Sequence, residues 1–176
     1  RPFGNAGALV LSEKQFSDYL TKDARPWERY VMMKARVLTS NPKDSLNLQK
    51  AIDRFIYRLY RDFTVNDTII EMKSRIEHKL LVEDKENDFK SGAGGIRDIE
   101  FICQTFQLIY GGERADFRQL GVLDVLEKIY LEKFISLEQK EGLLKAYIFL
   151  RDAENHLQMI NNQQIHACPK DDLMQL

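Results

Sequence analysis

Between Lys90 and Phe101 the chain changes character abruptly: Gly92, Gly94 and Gly95, three of the nine glycines in 176 residues, fall within four positions. They separate a charged run at 83–88 from an apolar, helix-like run that begins at Ile96. Glycine costs backbone entropy inside regular structure, so the cluster predicts a tight turn or a close approach at the mouth of a helix. Amides at such a mouth point outward with partial positive charge, which suits a phosphate. Asp98 and Glu100 follow directly. Two carboxylates beside a phosphate require a divalent cation between them, the usual chemistry of nucleotidyl and phosphoryl transfer. The same residues also read as a glycine turn capping an ordinary helix, with acids in its first turn because the helix dipole favours them there. The spacing matches neither the P-loop nor the dinucleotide fingerprint.

Elsewhere apolar residues recur at helical spacing, and the chain reads as mainly α after an extended opening in which 8–11 form a strand. Ser12 is placed to cap a helix running to about 21, and Pro26 suits the first position of one running to about 38, before Asn41-Pro42. A helix over about 45–63 carries Leu48, Ile52, Phe55, Ile56, Leu59 and Tyr60 on one face. Its other face, with Lys50, Asp53, Arg54, Arg58 and Arg61, reads either as an anion-binding surface or as a solvated face. Another helix spans about 66–83, followed by a charged surface loop and a short strand at 89–90.

The helix after the glycines spans about 96–110, with Ile99, Cys103, Phe106 and Tyr110 as its apolar ridge. Cys103 reads as core, since no histidine accompanies it locally. Asp98 and Glu100 lie two residues apart, so they point away from each other and act on different groups. Two more helices follow over about 120–134 and 137–161, and on the second Arg151 and Glu154 are spaced to pair. His78, His156 and His166 read as surface histidines.

With 26 basic and 27 acidic residues the net charge is −1, which leaves no electrostatic footprint for nucleic acid or an anionic membrane surface. No apolar run approaches the roughly 20 residues of a spanning helix. Cys103 and Cys168 are far apart and lack metal-ligand spacing, which fits a reduced, cytoplasmic setting.

Four blocks occur in one order. The first is Arg1-Pro2-Phe3-Gly4-Asn5-Ala6-Gly7-Ala8-Leu9-Val10-Leu11-Ser12, and the second is Trp27-Glu28-Arg29-Tyr30 with Lys34-Ala35-Arg36. The third is Gly94-Gly95-Ile96-Arg97-Asp98-Ile99-Glu100-Phe101 with Gln104 and Gln107-Leu108-Ile109-Tyr110-Gly111-Gly112; the fourth is Phe149-Leu150-Arg151 with Glu154-Asn155 and Leu157-Gln158. The series resembles the bifunctional glutamine synthetase adenylyltransferase/adenylyl-removing enzymes. Gly92-Ala93-Gly94-Gly95-Ile96-Arg97 is most similar to their amino-terminal, adenylyl-removing half.

The resemblance implies a fragment, because in that family a Gly-Ser pair and an Asp-x-Asp metal motif precede the Arg-Pro segment. A start at Arg-Pro-Phe-Gly in place of methionine points the same way. The implied fold is mainly α. Residues 1–111 form the end of a nucleotidyltransferase α/β domain with a helical insertion, and 112–176 part of a helical bundle. The implied activity is phosphorolytic removal of AMP from adenylylated glutamine synthetase, by a parent that also adenylylates it with ATP. The implied partners are glutamine synthetase, the nitrogen-signalling PII protein, ATP or ADP, and phosphate. Magnesium is expected, with its main ligands upstream. Glu100 first and Asp98 second are the implied catalytic carboxylates and metal ligands, while Gly94, Gly95 and Arg1 face nucleotide or phosphate and Gly4 lies nearby. Two alternatives stay open. One is a noncatalytic helical interaction module. The other is the related uridylyltransferase, which has a similar Gly-Gly-x-Arg-Asp segment but is disfavoured by Ile99-Glu100-Phe101, Gln104 and the 107–112 block.

Overall fold

The computed structural model describes residues 2–59, 61–83 and 88–161. Among them are seven α-helices and no strand: α1 (Glu13–Lys22), α2 (Glu28–Met32), α3 (Pro42–Ile56), α4 (Val65–Val82), α5 (Ile96–Tyr110), α6 (Val122–Leu131) and α7 (Leu137–Asn161). The mainly helical expectation therefore holds. Arg1, Tyr60, His166 and Cys168 lie outside the described residues. No helix among the described residues is long and apolar enough to cross a membrane.

The centre of the molecule is α5, which buries Ile96, Ile99, Phe101, Cys103, Gln104, Gln107, Leu108 and Ile109. A helix apolar around so much of its circumference must be covered on several sides. Leu108 and Ile109 join a core with Tyr19 and Leu20 of α1, Tyr30 of α2, Ile52 and Ile56 of α3, and Val65 of α4. Ile99 and Cys103 instead join Phe117 and the α6 residues Val122, Val125, Leu126 and Ile129, with Tyr147 and Leu150 of α7 against them. The Gln107 amide donates to the carbonyls of Phe117 and Gln119 at 3.0 and 2.6 Å, which fastens the loop after α5 to the helix itself.

Caps explain several boundaries. Ser12 and Gln15 form a reciprocal capping box that starts α1 at the residue the sequence indicates. Asn41 accepts from the Lys43 amide at 3.0 Å and Pro42 takes the first turn, so α3 begins there and not at 45. The Asn41-Pro42 pair starts a helix; it does not merely stop one. α3 ends at Ile56, short of the expected 63, because the Ile56 carbonyl accepts from buried Arg29 at 2.9 Å and Tyr57 turns extended. α2 stops at Met32: burial falls to Arg29, Tyr30 and Met33, whereas Leu38, on the apolar stripe that suggested a longer helix, is 91% exposed. A turn that covers nothing gains too little to extend the helix. α6 is shorter at both ends, closed by Lys133 at φ 63° and by the Phe134 amide donating to the Ile129 carbonyl.

Neither expected strand forms. Residues 8–11 are irregular, with Leu9 and Val10 about 85% exposed, and no strand lies among the described residues to pair with them. Residues 89–90 lie in a turn, because the Asp88 carboxylate accepts from the Lys90 and Ser91 amides at 2.9 and 2.6 Å.

The pair Gly111-Gly112 has a steric role. A Cβ on Gly112 would lie 1.5 Å from the Arg58 carbonyl oxygen, and one on Gly111 would lie 2.7 Å from the Tyr57 ring. Gly112→Ala is expected to lower stability by about 1–3 kcal/mol or more, since backbone must move. Gly142→Ala, exposed within α7 with nothing within 4 Å, is expected to raise it by about 0.5–1 kcal/mol. Urea melts of the two variants, read side by side, test the contrast.

Candidate functional site

The glycine turn closes upon itself. The amides of Gly92 and Gly95 donate to Asp88 and Gly92 carbonyls, while Ile96 and Arg97 donate to Phe89 and Lys90 carbonyls at 3.0 and 2.8 Å. The Asp98 amide bonds to Gly95. Gly94 takes φ 73°, a left-handed conformation that glycine adopts without strain. A Cβ on Gly95 would meet the Phe89 and Gly92 carbonyl oxygens at 2.7 and 2.9 Å. Both glycines thus shape the turn, and the first amides of α5 are already satisfied by main-chain oxygens.

Asp98 and Glu100 leave α5 in different directions, as their spacing requires. Asp98 Oδ2 accepts from Lys73 Nζ of α4 at 3.0 Å and from the Gly94 amide at 2.9 Å. Glu100 Oε1 accepts from Arg151 Nη2 of α7 at 2.8 Å. Arg151 Nη1 donates to Glu154 at 2.8 Å, and Lys90 Nζ lies 3.6 Å from the other Glu154 oxygen. The chain of charges therefore runs Glu100, Arg151, Glu154, Lys90, and returns to the glycine turn. Burial works against the Arg151 charge, but the Tyr147 hydroxyl, Glu154 and Glu100 outweigh it and raise its pKa.

Pairing of Arg151 with Glu154 was visible from their spacing, but the Glu154 side chain is only 5% exposed and serves as the buried hub of the network. Lys73, as the partner of Asp98, carried no sequence signal because it lies 25 positions away. Cys103 is core, as expected: burial pushes its thiol up to about 12, so it stays neutral. His78 and His156 are exposed, and the His156 ring contacts the Asp152 carbonyl one turn earlier.

Among the described residues no group of three or more His, Cys, Asp or Glu side chains is placed to hold a metal ion. Asp98 and Glu100 by themselves do not fit magnesium, since each is engaged by a cation on a different helix and the two diverge. What the arrangement does is hold two carboxylates rigidly at one end of the central helix. Pro2, Leu9 and Leu11 of the opening segment line a groove with Met32, Val37 and Leu48.

Two family models match parts of the chain. Residues 68–176 match the family model described as GlnD PII-uridylyltransferase, and residues 1–51 match the model described as Glutamate-ammonia ligase adenylyltransferase. Relatives from Mannheimia succiniciproducens and Pasteurella multocida are 43% and 44% identical over 98% and 99% of this chain, and 18% of their own length. One from Stenotrophomonas maltophilia is 39% identical over 98% of this chain and 19% of its own. The chain thus belongs to the family that the GlnD PII-uridylyltransferase model describes, and these relatives carry the name bifunctional glutamine synthetase adenylyltransferase/adenylyl-removing enzyme. It spans about a fifth of their length.

Proposed function

We propose that this chain is a helical segment of an enzyme that removes AMP from adenylylated glutamine synthetase by phosphorolysis and also adenylylates it with ATP. The observation that carries the reading is similarity of 39–44% along nearly the whole chain to relatives whose name states both activities. In this reading glutamine synthetase is the protein substrate, PII the regulatory partner, the cytoplasm the location, and ATP, ADP and phosphate the small reactants. Residues 1–111 close the nucleotidyltransferase domain and 112–176 begin the bundle behind it.

Glu100 is the first active-site carboxylate and Asp98 the second, with Gly94 and Gly95 shaping the turn that presents them and Arg1 near the phosphate. Magnesium belongs to the whole enzyme, with its main ligands on carboxylates outside this segment. Arg151 and Lys73 hold the two side chains in place so that neither must be ordered when substrate arrives.

In the full-length enzyme, Glu100→Gln is expected to slow ADP release from adenylylated glutamine synthetase at saturating phosphate by about tenfold or more. The melting temperature should hardly move, because a part-exposed ion pair contributes only about 0.2–1 kcal/mol. An unchanged rate with a lowered melting temperature would remove Glu100 from the chemistry and leave Asp98 to test. The match of residues 68–176 to the uridylyltransferase model supports a second reading. It predicts that the same substitution impairs UMP transfer to or from PII and leaves glutamine synthetase unaffected.

A further inference from the structure

Arg54 on α3 and Arg58 just beyond its end acquire a second purpose once the loop after α5 folds beside them. Two adjoining grooves, of about 370 and 630 Å³, share Asp53, Tyr57 and Arg118. Arg36, Arg54, Arg58 and Arg118 line them, against Asp53 as the one carboxylate among the described lining residues. These cations come from three separate stretches of chain.

Asp53 is already engaged: Gln49 donates to it at 2.9 Å and Arg118 Nη1 lies 3.7 Å away. Arg118 is held in place by the Gly111 carbonyl at 2.6 Å and lies 4.7 Å over the Tyr57 ring. Arg58 Nη1 lies 3.0 Å from Asp62, whose carboxylate also serves buried Arg29. Arg36 and Arg54 are exposed and make no ion pair among the described residues. The cleft therefore keeps a surplus of positive charge in a chain whose net charge is −1. Its floor is Tyr57, which burial raises to about 12 and so keeps neutral. Leu59 and Leu120, 88% and 55% exposed, supply apolar walls.

We propose that this cleft binds an oligophosphate anion, the di- or triphosphate tail of a nucleotide or the free polyphosphate, at a place separate from the carboxylates. Guanidinium groups fanned around a cleft match phosphate oxygens by paired, charge-assisted hydrogen bonds. The site sits at the carboxyl end of α5, roughly 16 Å along the helix axis from Glu100, so occupancy here does not depend on the catalytic reading.

Titration of the 176-residue chain with ATP, inorganic tripolyphosphate and a hexaglutamate peptide, followed by calorimetry, tests the proposal. Saturable binding of both phosphate compounds is expected, weakening steeply with salt. Arg36→Glu with Arg54→Glu should weaken it by about tenfold or more, at an unchanged melting temperature because both side chains are exposed. Asp53→Asn, which removes the competing carboxylate, should tighten it. Equal affinities for ATP and tripolyphosphate assign recognition to the phosphates alone, whereas tighter ATP binding adds a contact from its nucleoside to the apolar walls. Absence of saturable binding at millimolar ligand, indifference to the double charge reversal, or tighter binding of hexaglutamate would each overturn the proposal.

Discussion

Asp62→Ala is expected to cost about 3–5 kcal/mol of folding stability, enough to unfold much of the population of a marginally stable domain. Asp62 is 2% exposed and Arg29 4% exposed, and their side chains meet at 2.8 Å in the core between α2, α3 and the start of α4. Arg29 also donates to the Ile56 carbonyl, while its Nη2 is buried without a partner in the described structure. Removing the carboxylate strands that charge in an apolar setting, where desolvation is no longer compensated. Arg29→Met combined with Asp62→Leu should recover most of the loss, because two apolar side chains need no partner. Chemical denaturation of the single and double variants measures the difference; a double variant no more stable than Asp62→Ala would refute the account.

The same carboxylate predicts an acid limit. Burial pushes the Asp62 pKa up, but the Thr64 and Arg29 hydrogen bonds and the Arg58 charge outweigh it, and the net effect is a lowered value. A group with a depressed folded pKa contributes stability fully above its unfolded value, near about 4, and loses it as pH falls through the folded value. Stability should therefore fall between about pH 4 and more acidic values, and that segment of the profile should flatten in the Arg29→Met/Asp62→Leu variant.

Phe117→Ala is expected to cost about 3–5 kcal/mol by leaving a cavity in the second core. Phe117 is wholly buried, with the Tyr110 ring 5.4 Å away and the Phe134 ring 6.5 Å away. The Arg114 guanidinium lies 5.1 Å from its centroid and Lys128 Nζ 5.6 Å, so its outer face is covered by cations rather than by carbon. Those cations are held by Glu132, whose pKa they lower to about 2, and by Asp116. Phe117→Leu should lose markedly less. Raising salt should affect the cationic cover more than the cavity, since exposed pairs are screened and apolar burial is not. A loss below about 1 kcal/mol for Phe117→Ala, measured by thermal melting, would show that the loop repacks around the void.

Local rules carried much of the fold. The span of α5, Ile96 to Tyr110, followed from an apolar ridge bounded by glycines at both ends, and the start of α1 followed from a capping box. The errors came where a local signal had two meanings. Asn41-Pro42 ends one element and begins another with equal ease, and only burial decided that α2 would stop at Met32. Residues 8–11 look like a strand by composition, yet a strand exists only by pairing, which composition does not encode.

At the carboxylates, divergence of Asp98 from Glu100 was legible because helical geometry alone dictates it. Their partners were not: Lys73 and Arg151 lie 25 and 51 residues away, and nothing local marks either as a counterion. The sequence by itself therefore determined the helical class, the position of the central helix, the family resemblance and the two divergent carboxylates, all of which depend on neighbours within a few turns. Tertiary structure alone decided that Arg29 and Asp62 would be buried together, that Gly112 would press against the Arg58 carbonyl, and that arginines from three stretches would share one cleft. Those outcomes depend on which faces meet when the helices pack, and long-range contacts leave no periodic trace along the chain.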